Sequence, residues 1–180
     1  MKKLITLTLV FVLFISHLAA QDDIFKKGDK VLNLGLGLGS TYYGSYYTSR
    51  MPAITASLEV GVADKLIDGK GSIGVAGYVG YSSAKYSDYY KTTNFIFGAR
   101  GSFHYPLLAK LDTYTGLMLG YNVYSYKYYD SSTAPYSGSA SGIASSWFLG
   151  ARYYFSEKIA AMAELGYGTA IITVGVGIKF

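Results

Sequence analysis

The 180-residue chain has no cysteine, only three prolines, and a charged fraction of just 15%. Without cysteine there are no disulfide staples, no thiolate metal ligands, and no lipid-modified cysteine behind an export signal. Scarce proline leaves long stretches free to hydrogen-bond as strands. The 16 Lys plus Arg against 11 Asp plus Glu are scattered and form no recognised binding motif, which argues against a nucleic-acid partner. The apolar run from Leu4 to Ile15 is too short to cross a membrane as a helix. It follows Lys2 and Lys3 and precedes His17-Leu-Ala-Ala20, the pattern of a secretory signal peptide over residues 1–20. The remainder, 21–180, is then the exported domain. It carries 14 basic and 11 acidic side chains, because two lysines leave with the signal.

What the chain has in excess is tyrosine and glycine, 20 and 22 residues. Tyrosine favours a boundary between water and lipid, and glycine permits crowded, curved sheet walls. The last nine residues alternate without a fault: Ile172, Val174, Val176, Ile178 and Phe180 on one face, Thr173, Gly175, Gly177 and Lys179 on the other. The same period of two recurs at about 30–40, 53–63, 72–82, 93–105, 112–126, a sixth segment marked by Trp147, Leu149, Ala151, Tyr153 and Phe155, and 159–168. One face of each is hydrocarbon and the other small or polar. Return turns are expected at Asp64 to Gly71, Pro106 to Lys110 and Ser156 to Lys158, with a long polar insert from Lys127 to Gly142.

Eight strands of about ten residues, with hydrocarbon outward, predict an all-β fold: an eight-stranded antiparallel up-and-down transmembrane β-barrel. Connections after strands 1, 3 and 5 are long and rich in Tyr and Ser; those after 2, 4 and 6 are generally shorter. With both termini in the periplasm, every long loop falls outside.

Three segments, Leu149-Gly-Ala-Arg-Tyr-Tyr-Phe155, Ala163-Glu-Leu-Gly-Tyr-Gly168 and Val174-Gly-Val-Gly-Ile-Lys-Phe180, resemble the small eight-stranded outer-membrane barrels of the OmpX and OmpA transmembrane-domain class. The resemblance is nearest to the outer-membrane protein β-barrel domain family of Bacteroidota. It implies an integral outer-membrane protein. Its closing strand, ending at Phe180, resembles the signal read by the barrel-assembly machinery, the expected partner during biogenesis. The family architecture carries no single activity.

The inward positions include Glu59, Arg100, Arg152 and Glu164, which are expected to form a salt-bridge network filling the lumen. The alternative is a hydrated lumen, a narrow channel for ions or small solutes. The exported domain has one histidine, His104, between Phe103 and Tyr105; alternation points it inward with Arg100 at the periplasmic end of strand 4, and it is expected to be a satisfied interfacial side chain. Phosphate loops, nucleophile elbows and metal-ligand clusters are absent from the sequence, so no catalytic residue, cofactor or metal is assigned. The tyrosines of the long connections remain: Tyr43, Tyr46 and Tyr47; Tyr89 and Tyr90; Tyr128 and Tyr129. Such rings can stack on a sugar or anchor a protein with little loss of entropy. The expected partners are therefore outer-membrane lipid and an extracellular glycan or protein ligand, for a barrel that is a monomer. The alternation at Tyr124, Tyr126 and Tyr128 predicts that strands 5 and 6 continue as a ribbon above the bilayer.

Overall fold

The computed structural model describes residues 24–39, 49–86, 90–129 and 136–180. The expected signal peptide and Tyr43, Tyr46, Tyr47 and Tyr89 lie outside the described residues. Eight strands form the fold: β1 (Lys30–Leu38), β2 (Ser49–Leu66), β3 (Gly71–Tyr86), β4 (Tyr90–Leu108), β5 (Leu111–Tyr128), β6 (Tyr136–Tyr154), β7 (Ile159–Gly166) and β8 (Ile172–Lys179). Each bonds antiparallel to its sequence neighbours, and β8 closes onto β1 from Val31↔Lys179 to Leu38↔Ile172. The terminal residue extends the seam, with Phe180 N donating to Lys30 O at 3.0 Å.

The alternation read in the sequence sets the two faces. Leu34, Leu36, Ile54, Leu117, Leu149, Val174 and Val176 stand exposed on the outer wall, while Asn33, Thr55, Ser57, Glu59, Ser102 and Arg152 are buried inside. This is the reverse of a water-soluble barrel: its polar side chains face inward and its hydrocarbon faces out. Following partners from Leu38 through Ile172, Leu165, Leu149, Thr115, Phe103 and Ile73 to Ala63 descends from the loop end of β1 to the turn end of β2. That stagger is the strand tilt that closure requires.

The strands are unequal. β1, β7 and β8 have 9, 8 and 8 residues, whereas β5 has 18 and β6 has 19. At ~3.3 Å per residue and a tilt near ~40°, a strand the length of β5 rises about 45 Å, some 15 Å more than a hydrocarbon core. β4 to β6 therefore continue as a projecting sheet, paired through Tyr90↔Tyr128 and Tyr128↔Tyr136.

Three expected boundaries move. β2 runs on to Leu66 and turns through Ile67–Lys70, with positive φ at Ile67 and Asp68, so the return turn is tighter than 64–71. β4 continues through Pro106, opposite Asp112, to Leu108; a proline one pair from a strand end costs little pairing. The supposed insert from Lys127 to Gly142 is largely strand, because Ser137 to Gly142 pair with Lys127 to Asn122. Ser and Gly composition reads as loop, but a cross-strand partner overrides it.

The segment before β1 folds across the turn end of the barrel. Gly28 N donates to Gly61 O and Gly61 N to Asp29 O, both at 2.9 Å. A Cβ at Gly61 would lie 2.1 Å from Lys26 O, so only glycine admits this crossing. Lys179 holds the segment through Asp29 Oδ2 at 2.7 Å and Ile24 O at 2.9 Å. Ser72 Oγ donates to Phe25 O at 2.8 Å, and the buried Phe25 ring enters the lumen.

Candidate functional site

Alternation aims Glu59 of β2, Ser102 and His104 of β4, Asp112 and Tyr114 of β5, and Arg152 of β6 at one level of the lumen, toward the end that carries the termini. Arg152 is fully buried at the centre. Its Nε and Nη2 donate to Asp112 Oδ2 at 2.9 and 2.6 Å, and its Nη1 donates to Glu59 Oε2 at 2.8 Å and to Asn33 Oδ1 at 3.4 Å. His104 sits between the same two acids, Nδ1 at 2.9 Å from Asp112 Oδ1 and Nε2 at 3.0 Å from Glu59 Oε1. Phe25 caps the group, stacking on His104 at 4.2 Å and facing Arg152 at 5.2 Å.

One layer nearer the loops, Arg100 Nη2 donates to both oxygens of Glu164 at 3.0 Å. Its guanidinium lies 3.5 Å from the Phe148 ring centre and 5.2 Å from that of Tyr78. Tyr114 joins the layers: its hydroxyl donates to Glu164 Oε1 at 2.9 Å and its ring lies 4.8 Å from the Arg152 guanidinium. Gly150 makes room for that ring, since a Cβ there would stand 2.5 Å from it.

Of the four expected lumen charges, the structure thus pairs Glu59 with Arg152 and Arg100 with Glu164, in two layers. It adds His104 and Asp112, which the sequence reading left out. His104 is not interfacial but buried in the lumen, at 1% exposure. The signal was available, because His104 is inward by the same alternation as Arg100, and Asp112 stands eight residues on across a hairpin. Three buried acids face two guanidiniums, and His104 bridges the two acids of the lower layer, Nδ1 toward Asp112 and Nε2 toward Glu59.

Ser102, His104 and Asp112 also stand at the separations of a nucleophile, base and orienting acid, with Ser102 Oγ 3.0 Å from Nε2 and Asp112 on Nδ1. Glu59 Oε1 changes their chemistry. It accepts from the Ser102 hydroxyl and lies 3.0 Å from Nε2, so the Ser102 proton is directed at a carboxylate instead of at the imidazole that a nucleophile needs as its base. The two acids lie on opposite ring nitrogens rather than around one point, and among the described residues no group of His, Asp and Glu side chains is arranged to hold a metal.

Above the Arg100 layer is a cavity of about 30 Å³ bordered by Tyr78, Arg100, Ser146, Glu164, Thr169 and Thr173, room for a water and little else. Higher still, the inward face of the projecting sheet carries tyrosines. Tyr90 and Tyr124 share a hydroxyl contact at 3.0 Å; Tyr90 lies 6.3 Å from both Tyr126 and Tyr128, and Tyr126 lies 6.1 Å from Tyr136. Tyr90 and Tyr128, expected in loops, are strand residues of this cluster, and Tyr129 is exposed just beyond β5. Phe180 is exposed on the outer wall.

No protein-family model and no curated protein matches the chain. Solved structures do share its fold. The crystal structure of Ail, the attachment invasion locus protein of Yersinia pestis, aligns at 11% identity and a TM-score of 0.55, over 86% of this chain and 99% of that one. The N-terminal β-barrel domain of Pseudomonas aeruginosa OprF aligns at 16% identity and 0.53, over 86% and 98%. Ail in a phospholipid bilayer nanodisc aligns at 14% identity and 0.51, over 86% and 100%. The chain has the fold of the small eight-stranded outer-membrane barrels.

Proposed function

We propose that this chain is a non-enzymatic integral outer-membrane barrel whose lumen is a structural plug, and that it acts by presenting its projecting, tyrosine-lined sheet to a glycan or protein outside the cell. The observation that carries the reading is the continuation of β4 to β6 past the closed barrel, with Tyr90, Tyr124, Tyr126 and Tyr136 gathered on one face. An exposed hydrocarbon wall supports insertion in a membrane, and the shared fold of Ail and OprF supports the outer one. On this reading Phe180 closes the barrel and serves the assembly machinery, residues 1–20 are removed on export, and the loop end faces out. The nearer family placement, among the Bacteroidota barrels, rests on the residues of Leu149 to Phe155, Ala163 to Gly168 and Val174 to Phe180, together with Ala20-Gln21.

The lumen supports a plug over a channel. Ion pairs and Tyr114 tie its two charge layers together, the cavity bordered by Arg100 and Glu164 has room for about one water, and Phe25 covers the lower layer. Glu59 on both Ser102 and His104 supports the absence of nucleophilic chemistry. Bacteria displaying the full chain, assayed on glycan-coated and matrix-protein-coated surfaces, test the presentation. Replacing Tyr90, Tyr124 and Tyr126 by Ser is expected to abolish adhesion while the barrel still folds; undiminished adhesion of that variant contradicts the reading.

A further inference from the structure

The pairing of β6 with β7 begins at Phe148↔Gly166, so the upper part of β6 stands past the end of its neighbour. Among the described residues no strand pairs with the outer edge of Tyr136 to Ser146, eleven residues of strand. The residues from Tyr136 to Ile143 are almost all exposed on both faces. Sheet edges are ordinarily protected by charge, proline or a bulge. This one has none: Tyr-Ser-Gly-Ser-Ala-Ser-Gly-Ile-Ala-Ser-Ser is uncharged, lacks proline, and keeps unbroken register with β5. β2, at the far side of the long strands, has both Pro52 and a register shift between Met51 and Ile54. Protection is therefore present on one side and missing from the other.

We propose that the β6 edge pairs with the same edge of a second copy of this chain seated in a facing membrane, an inference that rests on the presentation reading above. Two identical strands pair antiparallel only about a twofold axis perpendicular to their sheet. Because the sheet stands along the barrel, that axis lies in the membrane plane and turns the second barrel end over end. Two copies in one membrane have their β6 strands running the same way and cannot meet so. Two copies in opposed membranes can, with their barrels end to end. The composition suits a self-match. No like charges come face to face, and in the register that uses all eleven residues, centred on Ser141, Ser137 stands opposite Ser145 and Gly138 opposite Ala144, small pairs that allow close approach. Ser141 lies six residues above Trp147, about 15 Å of height at the barrel's tilt, which sets the two membranes roughly 30 Å apart.

The chain's lack of cysteine makes the test direct. The full chain is refolded at one barrel per nanodisc, and the discs are weighed singly by mass photometry. Discs are expected to pair, and Ser141→Cys under oxidation is expected to link two chains, because residues on the axis lie within disulfide reach. Ser137→Cys and Ser145→Cys, each eight residues out of step with itself, are expected to stay unlinked. Ser139→Lys with Ser141→Lys is expected to leave single discs with folded barrels. Discs that never pair, or linkage at all three positions alike, overturn the proposal. Amide exchange on single discs separates this failure from that of the presentation reading. If alternate amides of Tyr136 to Ser146 exchange fast and the others slowly, the edge is presented and only self-pairing falls. Uniformly fast exchange removes the projecting sheet and both readings with it.

Discussion

Replacing Arg152 by methionine keeps most of the side-chain volume and removes every hydrogen bond that Arg152 makes in the lower lumen layer. Asp112 Oδ2 loses two donors and Glu59 Oε2 loses one, while both acids stay buried at 1% and 5% exposure with His104 as the ring still between them. Removing one partner of a buried ion pair costs about 3 to 5 kcal/mol, because the other charge is left without compensation. With a urea dependence of roughly 2 kcal/mol per molar, the unfolding midpoint falls by about 2 M. The assay is urea unfolding of the refolded barrel in lipid, followed by the single tryptophan, Trp147, which is exposed on the outer wall and reports its lipid contact. A companion variant, Arg152→Met with Glu59→Gln and Asp112→Asn, removes the stranded charges and is expected to recover more than half of the loss. A midpoint within about 0.5 M of the parent for Arg152→Met alone would refute the reasoning, for it would mean the acids are hydrated and the lumen is wet.

Phe25→Ala removes the cap on His104 and Arg152 and is expected to cost about 3 kcal/mol and to make His104, 1% exposed in the parent, reactive toward an imidazole-directed reagent. Gly150→Ala drives a Cβ to 2.5 Å from the Tyr114 ring, and its expected cost of about 1 to 3 kcal/mol is read from the same urea transition. Tyr114→Phe deletes one donor to Glu164 and is expected to cost about 1.5 to 3 kcal/mol, with no change in the barrel's migration on a cold gel.

Closure, strand number and the two faces were legible in the sequence because period-two alternation is a property of each strand alone. Leu34, Leu36, Val174 and Val176 show it without reference to any neighbour. The strand ends were less legible. Ser137 to Gly142 looks like loop until Asn122 to Lys127 is seen to pair with it, and Pro106 looks like a terminator until Asp112 stands opposite. The lumen was half legible: alternation points Glu59, Arg100, Arg152 and Glu164 inward. Which charge meets which depends on the stagger between strands, and the sequence does not display it. His104 also points inward by alternation, but its place in the network was missed for a related reason, since its partners Glu59 and Asp112 come from two other strands. Phe25 has no periodic signal at all; it is placed by a segment that crosses the barrel mouth at Gly61.

The most direct test of the account is the conductance of single refolded barrels in a planar bilayer. A lumen filled by the Arg152 and Arg100 layers and covered by Phe25 predicts a silent membrane containing verified folded protein, for the parent and for Tyr90→Ser alike. Reproducible current steps from the parent, altered in size by Arg152→Met, would contradict the plug and make the chain a narrow channel.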